Sequence, residues 1–185
     1  MSETRPNPTG RVIRFADEDI IVSKTDLKGR ITYANDVFVR VSGYSAAELL
    51  GAPHSILRHP AMPRCVFKLL WDTIADRREI FAYVLNLAKN GDEYWVFAHV
   101  TPSYNLTGEH VGYHSNRRAP HADALAQVAP LYAALLAEER RHADRTTGMR
   151  ESTALVLNLL AKHRVDYGQF VFGLSKHTAL HTGAA

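Results

Sequence analysis

The sequence predicts an α+β fold: a five-stranded antiparallel sheet with small helices gathered on one face, followed by C-terminal helices. Three observations predict it. Two β-branched runs near Ile20 and Ile31 are separated by about fifty residues of short helical segments from three longer strand-like runs. A Lys89-Asn90-Gly91-Asp92 turn joins the first two of those three. Beyond residue 120 the chain becomes rich in Ala and Leu at helical spacing.

In chain order, residues 1–18 read as an N-terminal arm, with a short helical stretch expected near Val12-Ile13-Arg14-Phe15. The folded part is expected over 19–120. Ile20-Ile21-Val22-Ser23-Lys24 and Ile31-Thr32-Tyr33-Ala34 form a hairpin around Asp26-Leu27-Lys28-Gly29-Arg30. Asn35 then stands as a helix N-cap and Gly43 as its C-terminal stop. Ser45-Ala46-Ala47-Glu48 fits a capping box, stopped by Gly51. Pro53, Pro60 and Pro63 prevent a long helix over 52–62, and Pro63 opens a longer one. That helix carries Val66, Phe67, Leu70, Trp71 and Ile74 as an apolar stripe, most simply read as core.

Strands follow over 80–88, 93–101 and 110–116. With Asn90-Gly91 as a two-residue type I′ loop, Lys89 faces Asp92, Leu87 faces Tyr94 and Asn86 faces Trp95. Asn86 then shares a face with Val84, Trp95 and Phe97, where its amide needs a partner: an internal hydrogen bond, a buried water or a planar ligand. Phe81, Tyr83, Leu85 and Tyr94 fall on the other face, which needs a cover from the arm, the C-terminal helices or another subunit. Residues 121–174 are expected to be a helical extension, with a seam of Leu125, Val128, Tyr132 and Leu135 interrupted by Pro130, and a second helix over 151–163. The segment from Tyr167 to Leu174 is apolar without a clear type, and 175–185 reads as a disordered tail.

The composition, 46% hydrophobic and 22% charged in 185 residues, is that of a globular protein. A net charge of +3 with scattered pairs such as Arg77-Arg78 and Arg117-Arg118 reads as solvated faces and argues against nucleic-acid binding. One cysteine, Cys65, excludes an intrachain disulfide. Neither a signal core nor an apolar run of the ~18–20 residues needed to cross a bilayer is found, so a cytoplasmic chain without a membrane span is expected. Phosphate-loop, nucleophile and metal-cluster motifs are lacking, so an enzyme is not expected.

The element order resembles a PAS sensor domain. The likeness sharpens at Ile31-Thr32-Tyr33-Ala34-Asn35-Asp36, Val41-Ser42-Gly43-Tyr44, Arg58-His59-Pro60-Ala61-Met62-Pro63 and Asn86 with Lys89-Asn90-Gly91-Asp92-Glu93-Tyr94-Trp95-Val96. These are similar to the FAD-binding PAS domains of bacterial aerotaxis receptors, over roughly residues 20–136. Ala61 and Ile80 depart from that pattern. The resemblance implies a sensor of redox state or oxygen, active in chemotaxis or related signal transduction, holding FAD without a covalent bond. Carried over, Asn35, Arg58, His59 and Asn86 are cofactor-binding positions. Asn86 can read the polar edge of the flavin ring, Trp95 and Phe97 can wall its flat body, and Arg58 can neutralise a pyrophosphate.

Haem b is the competing cofactor, through His54, His59, His99, His110 or His114. A cofactor-free interaction module is the reading from another class. Zinc fits poorly, because His110 and His114 lie about 13 Å apart on a strand. His54 stands near the place where light-sensing flavin relatives carry a cysteine, and Cys65 reads as a buried small hydrophobe. With no output domain in view, the signal is expected to pass to a signalling partner of chemoreceptor or kinase type, or through a homodimer formed by residues 121–163.

Overall fold

The computed structural model describes residues 5–176. The tail expected from residue 175 lies outside them from residue 177 onward. The sheet has five antiparallel strands in the order β2-β1-β5-β4-β3, with β1 Ile21–Asp26, β2 Ile31–Ala34, β3 Ile80–Leu87, β4 Glu93–Tyr104 and β5 His110–Arg118. Between β2 and β3 run α1 (Asp36–Ser42), α2 (Ala46–Leu49), a 3-10 turn (His54–Leu57) and α3 (Arg64–Ala75). The expected α+β arrangement is the one observed.

Local chemistry sets the small helices. Asn35 caps α1: its Oδ1 accepts from Phe38 N and Val22 N at 3.0 Å, and its Nδ2 donates to the Ile20 carbonyl at 2.8 Å. The same amide therefore ties the helix start to β1. Gly43 ends α1 in the left-handed conformation, and Ser45 with Glu48 forms the complete capping box.

The β3–β4 hairpin departs from the expected register by one residue. Gly91 N donates to Ala88 O and Ala88 N donates to Asp92 O. The loop is therefore the three residues Lys89-Asn90-Gly91, with Gly91 at φ 87°, a type I turn closed by a left-handed glycine instead of a two-residue type I′ loop. Leu87 pairs with Glu93, Asn86 with Tyr94, Leu85 with Trp95 and Tyr83 with Phe97. Because side chains alternate, this one-residue slip carries Trp95 and Phe97 to the face opposite Asn86.

The N-terminal arm is extended, not helical. Val12 bridges Glu93 in parallel, and Thr9 N donates to Gly91 O. The backbone donors of this segment are thus satisfied by the hairpin it straps, leaving no need for a helix.

Behind the sheet, α4 (Ala122–Arg140), α5 (Arg145–His163) and α6 (Tyr167–Lys176) form the C-terminal helices. Their presence answers what covers the far face of the hairpin: Tyr132 packs on Trp95 at 5.8 Å, and Phe172 on Phe81 at 4.5 Å and Phe97 at 6.3 Å. Tyr132 Oη also donates to the Tyr83 carbonyl at 2.8 Å. Helix α4 is continuous through Pro130, whose exposed position keeps it off the buried seam of Val128, Tyr132 and Leu135. Packing of that seam outweighs the lost backbone bond. Helix α5 starts six residues earlier than expected because Asp144 caps it, accepting from Thr147 N.

Candidate functional site: a cavity around a buried arginine

Between the sheet and the small helices lies a cavity of about 560 Å³, within the usual size of a small-molecule site. The pairing register builds its floor. Val84 and Asn86 of β3, Ala98 and Val100 of β4, Tyr113, Ser115 and Arg117 of β5, and Ser23 and Thr25 of β1 all line it, each two residues from the next on its strand. Its roof comes from His54, Ser55 and Arg58 of the 3-10 segment and from Phe67, Leu70, Trp71 and Ile74 of α3. The stripe read as plain core is thus core on one side and cavity wall on the other. Met149 of α5 closes one edge.

The expected site residues separate into two groups. Arg58 and Asn86 meet at the cavity, and their backbones form an isolated antiparallel bridge. The Arg58 guanidinium rests 4.3 Å over the Phe67 ring. Asn86 is 4% exposed and lines the cavity floor. By contrast, Trp95 and Phe97 lie under α4 and α6 on the opposite face and do not wall the cavity. Asn35 is spent on capping α1. His59 lies beside the cavity wall: Nδ1 accepts from Ala61 N at 3.0 Å, and Nε2 stands 3.3 Å from Glu93 Oε2 without hydrogen-bond alignment. Burial lowers the His59 pKa, with Glu93 opposing.

The residue at the centre is one the sequence reading assigned to a solvated face. Arg117 is 3% exposed. Its Nε donates to Ser115 Oγ at 3.0 Å, and its Nη2 donates to Ser23 Oγ and, at 2.8 Å, to His54 Nε2. Its Nη1 is buried without a partner among the described residues, as is the Tyr94 hydroxyl. No carboxylate pairs with it among the described residues. Burial lowers its pKa to about 10, with Tyr94 opposing. The guanidinium therefore stays charged, and a buried cation without a counter-charge carries a large desolvation cost. The signal that would have found it is the spacing Tyr113, Ser115, Arg117, one face of a strand.

His54 is the one histidine of the five haem candidates that lines the cavity. Burial, then the Arg117 charge, lower its pKa to about 3. Nε2 accepts from Arg117, so the ring is neutral with its proton on Nδ1. A histidine depressed in the folded state takes up its proton more readily when unfolded. Stability is therefore full above about pH 6.5 and falls as the pH drops from there toward 3. Urea-unfolding free energies measured between pH 7 and 5 should decline in the wild type, and His54→Gln should flatten part of that decline. An identical slope in the variant would show that His54 is not the titrating group.

Comparison with known proteins agrees with this architecture. Residues 31–117 match the family model described as the PAS fold. The aerotaxis receptor of Escherichia coli (strain K12) is 42% identical over 132 residues, covering 71% of this chain and 26% of the receptor. A nitrogen fixation regulatory protein of Klebsiella pneumoniae is 36% identical over 90 residues, 49% of this chain and 18% of that protein. A solved RNA-binding Light-Oxygen-Voltage receptor shares the fold, with a TM-score of 0.51 at 23% identity over 56% of this chain and 31% of its own. The chain belongs to the PAS family, and it spans only about a quarter, or less, of the two curated relatives. Among the described residues, no helix is long and apolar enough to cross a membrane.

Proposed function

We propose that this PAS domain is a sensor of redox state or oxygen that holds FAD non-covalently in the cavity and signals by conformational change, in chemotaxis or a related pathway, to a chemoreceptor- or kinase-type partner. The observation that carries the reading is Arg117: a buried guanidinium in the cavity wall with one nitrogen unpartnered among the described residues, beside the Asn86 amide and the flat side chains of Phe67 and Trp71. A planar ligand with an electron-rich polar edge satisfies both polar groups and fills the apolar volume. The likeness to an aerotaxis receptor supports the same choice. Haem is the weaker alternative, because Arg117 already occupies His54 Nε2.

A bound flavin supplies reversible electron transfer; the chain supplies the readout. Asn86 and Val84 face the cavity, while Tyr83, Leu85 and Leu87 alternate with them toward the far face. That face holds α4 through the Tyr132 to Tyr83 hydrogen bond and α6 through Phe81. A change in hydrogen bonding at Asn86 thus acts on a strand whose back carries the C-terminal helices. This gives β3 two surfaces and makes it the element that both sites bias. In this reading the chain is cytoplasmic, and the extension from residue 121 offers the surface for a homodimer or partner.

Flavin-supplemented, purified protein should show a structured band near about 450 nm, and the released cofactor should be FAD. Asn86→Ala should weaken flavin binding roughly tenfold while the far-ultraviolet dichroism stays unchanged, since it removes one buried pair of polar contacts. A wild-type preparation colourless after supplementation would defeat the flavin reading, and a band at about 400–420 nm would favour haem.

A further inference from the structure

We propose that the mouth of the cavity is a diphosphate site formed by Arg5, Arg58, Arg64 and Arg145, which holds the phosphates of the flavin dinucleotide and selects it over riboflavin; this rests on the flavin reading above. The four guanidiniums come from four separate segments: the N-terminal arm, the 3-10 segment, α3 and α5. Arg58 and Arg64 line the cavity directly. Arg5 Nη2 donates to the carbonyl of Ser55, another lining residue, at 2.7 Å. Arg64 Nη1 donates to the Arg145 carbonyl at 2.8 Å, and Arg145 stands one turn before the lining residue Met149 on the same face of α5.

None of the four has an ion-pair partner among the described residues, although Arg11, Arg40, Arg78, Arg141 and Arg150 each have one. The nearby acids are held by other donors, and Glu139 offsets only part of the charge around Arg58. Glu139 Oε1 accepts from Cys65 N at 2.9 Å and from Ser152 Oγ at 3.1 Å. At the rim, Lys68 is matched by Asp72 at 2.6 Å, and Asp144 caps α5. Burial lowers the Arg58 pKa, and the charges of Arg5, Arg64 and Arg145 lower it further against the opposing pull of Glu139. Like charges gathered around a half-buried group repel unless an anion joins them. A diphosphate brings two phosphates to accept paired N–H donors from planar guanidiniums. Riboflavin brings none.

Arg5 and Arg145 lie outside residues 31–117, so a dinucleotide engaged at the mouth draws the arm and α5 onto the domain. By linkage, docking of those segments strengthens dinucleotide binding in the same measure.

The test uses the full chain, freed of any cofactor and titrated calorimetrically with FAD, FMN, riboflavin and ADP at low and high salt. The expected result is FAD held at least roughly tenfold tighter than riboflavin, with the difference shrinking in high salt. Arg64→Gln/Arg145→Gln, with both substitutions at exposed or half-exposed positions, should lower FAD affinity roughly tenfold and leave riboflavin unchanged. Equal affinity for FAD and riboflavin in the wild type, or FAD binding unaltered in the double variant, overturns the diphosphate site and leaves the flavin reading standing. ADP binding that the double variant loses, with no flavin bound, assigns the site to a free nucleotide diphosphate and overturns the flavin reading. Absence of binding by all four removes both.

Discussion

Arg117→Met leaves the chain folded and abolishes its capacity to hold flavin. In the cofactor-free protein the guanidinium is a buried cation with hydroxyl and imidazole acceptors but no carboxylate. Replacing it with an apolar side chain of similar length removes the desolvation cost of an uncompensated cation, which offsets the acceptors left unpaired at Ser23 and His54. With ligand present the sign reverses, because the free Nη1 and its charge are lost together. Hydrogen bonds from charged donors contribute about 1.5–3 kcal/mol each, so two of them place the loss at roughly a hundredfold or more in affinity. Two measurements check the pair of signs: the urea midpoint of the cofactor-free variant should match or exceed that of the wild type, and flavin titration should show no saturable binding. Stoichiometric flavin in a folded Arg117→Met protein would remove Arg117 from the site.

The second large effect is on stability. Gly148 of α5 crosses α4 so closely that a Cβ there would stand 2.5 Å from the Glu139 carbonyl oxygen. That oxygen is backbone and cannot rotate away. Gly148→Ala must therefore push the two helices apart, at a cost of about 2–3 kcal/mol, and it displaces Ser152, whose hydroxyl donates to Glu139 one turn further on. The urea midpoint should fall, and protease cleavage within α5 should accelerate. Gly173→Ala in α6 is the control, since nothing lies within 4 Å of its added Cβ; helix propensity there predicts a gain of about 0.5–1 kcal/mol. If the two alanine variants unfold alike, the close crossing of α4 and α5 is not present in solution.

The difference between what was legible and what was not follows physical range. Capping, turns and periodicity are local, and the sequence carried them: the Asn35 cap, the capping box at Ser45 and Glu48, the apolar stripe of α3 and the two-then-three order of strands are all as read. The family likeness followed from the same short segments. Arg58 and Asn86 were placed by that likeness, and the structure brings them to one cavity. What failed turned on single-residue geometry. A loop of three residues instead of two moves Trp95 and Phe97 to the far face, because a strand exposes alternate side chains to opposite sides. Nothing in Asn90-Gly91 itself decides between the two loops; the arm that straps Gly91 and the helices that bury Trp95 do.

The sequence by itself determined the PAS fold, the strands and the polar amide that needs a partner, since each depends on residues within a few positions of one another. Only the tertiary structure decided that Arg117 is the charge at the centre of the cavity and not a solvated one. Its burial depends on β1, β5 and the 3-10 segment meeting from positions 23, 117 and 54. The cost of desolvating that charge exists only once those three segments close around it.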